Sequence, residues 1–194
     1  MRVFVLGGYG KTGVVATRLL AQSDLVTGIA VAGRNLERAE GAATEIGEKA
    51  TAVCVDGTDE QQLASLAAGY DILINAANNQ AVLPCIRAAI HNHAHYCDMA
   101  WGQILDDAVQ LAPAAEGAGI TAIIATGISP CITNLLGVHA ARQLDDLEQL
   151  QVGRAEMFDF GSGQELTPRA WLSDPGESLV VLCEYRPFLA WMLK

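Results

Sequence analysis

Near the start of the chain, Gly8-Tyr9-Gly10-Lys11-Thr12-Gly13 has the spacing G-x-G-x-x-G. Residues so spaced can hold a phosphate. Gly8 lets the backbone turn sharply, Gly10 lets a pyrophosphate approach, and Gly13 lets a helix pack closely on a strand. Unpaired N–H groups in the first turn of that helix, with its dipole, then favour an anion. Lys11 either adds charge to the turn or is an ordinary solvated lysine. Tyr9 and Thr12 complete the candidate set. The alternative is a plain strand–helix turn that happens to be glycine-rich, and the flanking residues argue against it. Val3–Leu6 is an unbroken apolar run suited to a buried strand, and Val14, Val15, Leu19 and Leu20 recur at helical spacing.

Further candidates stand where later strands should end. Arg34, followed by Asn35, ends a second strand at the place where an NAD-specific site puts Asp or Glu against the ribose 2′-hydroxyl. A guanidinium matches a 2′-phosphate instead, so NADP is the expected cofactor, with NAD the alternative. Asp56 and Gly57 end a third strand, where Asp56 can also form an Asx turn or a helix cap. Asn75, Ala76 and Ala77 end a fourth; their small size leaves room for a dinucleotide or for close helix packing. Tyr96 and Asp98 end a fifth, near where a nicotinamide would lie. Either could orient substrate or move a proton, while Asp98 could equally hold the following loop. His91, His93, His95 and Cys97 do not have a zinc-ligand spacing, so no metal is expected.

The elements that must position these residues alternate. Strands are expected at about 28–32, 51–55, 71–75, 95–98 and 121–125. Helices are expected at about 36–47, 60–69, 81–91, 104–117 and 132–144, with Asp59 or Thr58 capping the second and Pro113 bending or interrupting the fourth. The alternation predicts an α/β fold, a doubly wound parallel sheet of the Rossmann type covered on both faces. Its ligands bind beyond the carboxyl ends of the strands. Residues 1–147 form the expected cofactor domain. Residues 148–194 change character, ending in the apolar and aromatic SLVVLCEYRPFLAWMLK, and read as a partial second α/β domain.

With 194 residues, 51% hydrophobic and 18% charged, the chain is expected to be globular. A formal net charge of −10 without a basic cluster argues against nucleic acid or an anionic membrane as partner. No secretory leader or membrane span is expected. Five scattered cysteines read as reduced thiols, which predicts a cytoplasmic protein.

The motif order GGYGKTG, AGRN, VDGTD, INAAN, HAHYCDMA and GAGITAIIATGISPCITNLLG resembles the saccharopine dehydrogenase-like oxidoreductases over roughly the first three-quarters of the chain. The resemblance implies NADP-dependent hydride transfer to or from a small amino-acid-like or imine substrate. It implies that Asp56 meets the adenine or its ribose. It also implies a second domain for substrate and dimerisation, which allows a homodimer. Ser129 and Cys131 flank Pro130, where many members have an acidic residue and a glycine. Competing expectations are an NADP-binding module that senses without turnover and a cofactor-binding fragment lacking its substrate domain.

Overall fold

The computed structural model describes residues 1–128 and 131–143. Strands and helices alternate as β1 (Arg2–Leu6), α1 (Lys11–Ala21), β2 (Gly28–Gly33), α2 (Leu36–Ile46), β3 (Ala50–Cys54), α3 (Glu60–Leu66) and β4 (Ile72–Asn75). A 3-10 turn at Asn79–Ala81 leads into α4 (Val82–His91), β5 (His95–Asp98), α5 (Ile104–Val109), α6 (Ala112–Gly117), β6 (Ala122–Ile123) and α7 (Ile132–Ala141). Met1–Ile132 forms one compact unit, and the chain from Thr133 belongs to a second. Residues 148–194, where the partial domain is expected, lie outside the described residues, as do Ser129 and Pro130.

Every strand pair is parallel, and the order across the sheet is β3-β2-β1-β4-β5-β6. This is the Rossmann order, with its switch point between β1 and β4. In register, Leu6 lies beside Ala32 on one side and Asn75 on the other, and Asn75 lies beside Asp98. The strands therefore finish together along one edge.

Alternation along each strand divides the core into two layers. Phe4, Leu6, Ala30, Ala32, Leu73 and Tyr96 pack with α3 and α4. Val3, Val5, Ile29 and Val31 pack with Ala39, Ala42 and Ala43 of α2. Alanines on that helix face let it lie close to the sheet. α4 buries Val82, Cys85, Ile86, Ala88 and Ala89, the stripe of a helix facing a core. Asn35 caps α2 by accepting the Arg38 N–H at 2.9 Å, and Asp59, not Thr58, caps α3 by accepting the Gln62 N–H at 2.9 Å. The rear of α1 is closed by Lys49, whose Nζ donates to the carbonyls of Ala21 at 3.0 Å and Ser23 at 3.1 Å.

Of the two effects expected of Pro113 the structure has the interruption: the helical stretch over 104–117 is two helices, with Pro113 in the first turn of the second. Proline suits that position because its missing N–H is not needed there. One expectation changes: the sixth strand covers only Ala122–Ile123, not 121–125. Ala125 turns into positive φ (61°), and its N–H goes to the Asp98 side chain instead of to a strand ladder. Among the described residues no helix is long and apolar enough to cross a membrane.

Candidate functional site

The glycine turn lies at the switch point, between the carboxyl end of β1 and the start of α1. Its sharp bend falls at Gly7, with φ +78°, and not at Gly8 as the motif spacing suggests. Gly7 also abuts the next strand end: a Cβ there would lie 2.8 Å from the backbone of Ala76 and Ala77. Gly8 is packed between Thr17 and Val31. A Cβ on Gly13 would drive into the Gly7 carbonyl, so the glycine lets α1 start directly against the turn. Buried Thr17 fastens the same contact, its hydroxyl lying within hydrogen-bond distance of the carbonyls of Gly8, Gly13 and Val14.

Gly10 differs from its neighbours. It caps α1 with no side-chain bond, the first turn carries no acidic residue, and a Cβ would meet only the Gly7 carbonyl oxygen, at 3.1 Å. The helix thus presents its first-turn N–H groups beside open space, the arrangement a pyrophosphate requires. Lys11 and Thr12 are exposed on that turn. The residues present fit a dinucleotide phosphate.

At the end of β2, Arg34 is exposed and Asn35 serves as the α2 cap. Asp56 forms the expected Asx turn, its Oδ1 accepting the Thr58 N–H at 2.9 Å and hydroxyl at 2.8 Å. These bonds, with the Arg34 charge acting the same way, hold the Asp56 carboxyl below its ordinary pKa. Gly57 lets this loop close over Leu6, whose Cδ2 would lie 2.7 Å from a Cβ there.

Beyond β4, Asn75 is buried, and its amide is used within its own turn. Nδ2 donates to the Asn78 carbonyl at 3.0 Å, and Oδ1 accepts the Ala77 N–H at 3.0 Å. Asn75 therefore shapes the loop, and Ala76 and Ala77 form its outer surface.

Tyr96 and Asp98 are brought together but withdrawn from solvent, with relative exposures of 1% and 0%. Tyr96 Oη donates to Asp98 Oδ2 at 2.8 Å. Asp98 Oδ1 accepts the N–H groups of Ala100 at 3.0 Å and Ala125 at 2.8 Å. Thr126 donates its N–H to the Asp98 carbonyl. Of the two roles open to Asp98, this geometry performs loop holding: one carboxyl ties the end of β5 to the segment after β6. Burial and the neighbouring Asp98 push the Tyr96 hydroxyl pKa far up, so it stays protonated. In this arrangement the two side chains are hydrogen-bonded to each other.

The histidines are likewise engaged. His93 Nδ1 lies 3.0 Å from the Ala118 carbonyl, and His95 Nδ1 accepts the Thr121 N–H at 3.0 Å. A largely apolar groove of about 400 Å³ runs along the flank of α1, lined by Leu19, Leu20, Ile74 and Cys97 and also by Ala76 and Asp98 of the strand ends. Sequence reasoning missed Thr17, whose threonine type in a helix carried no signal of its contact. It also missed Arg38, a second basic residue four positions after Arg34, where the spacing was visible.

Two solved dehydrogenases share this fold. The apo saccharopine dehydrogenase (L-Glu forming) of Saccharomyces cerevisiae is 25% identical, with TM-score 0.63 over 73% of this chain and 31% of that one. The chain thus spans about a third of the length of that relative. Serine dehydrogenase of Escherichia coli shares the fold, with 15% identity and TM-score 0.53 over 64% of this chain and 81% of that one. A family model, the saccharopine dehydrogenase NADP binding domain, matches residues 3–123. With that match over more than half of its length, the chain belongs to the saccharopine dehydrogenase NADP binding domain family.

Proposed function

We propose that this chain holds NADP(H) for hydride transfer to or from a small substrate, an amino-acid-like or imine molecule reacting at a C–N bond. The observation that carries the reading is Arg34, exposed at the end of β2 beside a phosphate turn with no side-chain cap. Gly8 to Gly13 take the pyrophosphate on the N–H groups of α1. Arg34 and Asn35 meet the 2′-phosphate end. Asp56 and Gly57 line the adenosine side, and Ala76 and Ala77 leave space at the next strand end. The bound nicotinamide supplies the hydride chemistry; the protein supplies position. The substrate class follows the family alone. The substrate-binding part and a homodimer would belong to protein beyond this domain. Cys54, Cys85 and Cys97, none of them in a disulfide, support a reducing, cytoplasmic setting.

A second reading, cofactor binding without turnover, is favoured by the burial of Tyr96 and Asp98 and by the use of Asp98 as a loop anchor. Nicotinamide fluorescence during titration with NADPH and NADH tests the common ground, and failure of both to bind rejects both readings. Oxidation of NADPH across a panel of imines and keto acids selects the first, and tight binding with no turnover selects the second. Arg34→Asp should weaken NADPH at least about tenfold more than NADH, the loss expected of a charge-assisted phosphate contact. Equal losses would defeat the 2′-phosphate assignment.

A further inference from the structure

The Tyr9 side chain leaves the glycine turn and lies across the end of β2. Gly33 makes room for it: a Cβ there would fall 2.5 Å from Tyr9 Oη. The hydroxyl accepts the Asn35 N–H at 2.9 Å. The Arg38 guanidinium stands over the ring, 4.9 Å from its centroid, and Nη2 donates to the Tyr9 carbonyl at 3.5 Å. One aromatic ring therefore joins the phosphate turn, the end of β2 and the first turn of α2.

We propose that Arg38 is a second guanidinium reading the cofactor's 2′-phosphate, and that Tyr9 is the residue that positions it. The proposal deepens the NADP reading and rests on it. Arg38 stands in the first turn of α2 next to Glu37, where the helix dipole favours the acid and disfavours the cation. It bends back over Tyr9, toward the turn expected to hold phosphate. The ion pairs found among the described residues, Arg18–Glu45 and Arg87–Glu60, engage neither Arg34 nor Arg38. A free arginine would lose rotamer freedom on meeting a ligand; one stacked on a ring has already lost much of it. Arg34 on the strand end and Arg38 on the helix flank the Asn35 cap, so a phosphate there meets charge from two sides.

Calorimetric titration of the full chain with 2′,5′-ADP and with ADP isolates the 2′-phosphate. The wild type should prefer 2′,5′-ADP. Arg38→Ala should weaken 2′,5′-ADP about tenfold and ADP by less than about twofold. Tyr9→Ala should give the same selective loss, and Tyr9→Phe, which keeps the ring, should retain most of the preference. The double variant Tyr9→Ala/Arg38→Ala should be no worse than Arg38→Ala, because the two residues act as one unit. Equal losses for both ligands in Arg38→Ala, or additive losses in the double variant, overturn the proposal. If Arg34→Asp removes the preference while Arg38→Ala preserves it, this proposal falls and the NADP reading stands. If the wild type shows no preference, both fall.

Discussion

Asp98→Ala tests whether one carboxyl holds the edge of the candidate site. Its oxygens accept from Tyr96 Oη at 2.8 Å, Ala100 N at 3.0 Å and Ala125 N at 2.8 Å. Truncation strands the buried Tyr96 hydroxyl and Ala100 N–H and the half-buried Ala125 N–H. Each costs about 1–3 kcal/mol, giving about 3–9 kcal/mol in total. That is a large share of the roughly 5–15 kcal/mol that stabilises a typical domain. Urea unfolding should show the loss directly, and the thermal midpoint should fall by about 10 °C or more. Asp98→Asn keeps the shape and one acceptor oxygen, so it should cost only about 1–2 kcal/mol, with Tyr96 turning its hydroxyl to accept from the new amide. It should also retain NADPH binding. If Asp98→Ala unfolds within about 1 kcal/mol of the wild type, the anchoring argument is refuted. If Asp98→Asn is as stable as the wild type and binds NADPH but loses all turnover, a proton-transfer role replaces it.

Gly13→Ala should abolish NADPH binding and lower the thermal midpoint, because its Cβ would collide with the Gly7 carbonyl and push α1 off the turn; unchanged fluorescence titration would contradict this. Burial, and then the nearby Asp98, push the Cys85 thiol up from 9.0 to about 12. Above pH 9 the unfolded chain therefore releases a proton that the folded chain keeps, and stability should fall by about 1.4 kcal/mol per pH unit from this group, lost progressively as the pH approaches 12. Denaturant titrations at pH 8 to 11 check the slope, and Cys85→Ala should lessen it, leaving the part that Tyr96 contributes above pH 10.

The sheet was legible because its signals are local. Apolar runs at Val3–Leu6 and Ile72–Ile74, with polar turns after them, mark strands of a covered parallel sheet sharing one polar edge. The phosphate turn and Arg34 were legible for the same reason, since glycine spacing and strand-end position lie within a few residues. What escaped depends on contacts between distant segments. Tyr9 and Arg38 are 29 residues apart and meet only after β2 pairs with β1. Asp98 and Ala125 are 27 apart, and their bond ends β6 early, although TAIIA has the composition of a full strand. Asn75 is polar at a strand end, yet it serves its own turn because β1 and β5 flank β4 and leave the side chain buried.

The ammonium of Lys49 closes the rear of α1 about 16 Å from Gly10, counting 1.5 Å of rise per residue. That separation is about twice the screening length at physiological salt, and the field of a helix end fades within a turn. At that distance the two ends are only weakly coupled. The cation steadies the rear carbonyls without drawing on the front N–H groups, and it changes the phosphate's attraction little. Neutralising Lys49, by substitution or by acylation, loosens the helix where the chain turns back toward β2 and spares the cradle at its start. Stability and anion affinity, although carried by one helix, can drift apart in descendants of this sequence.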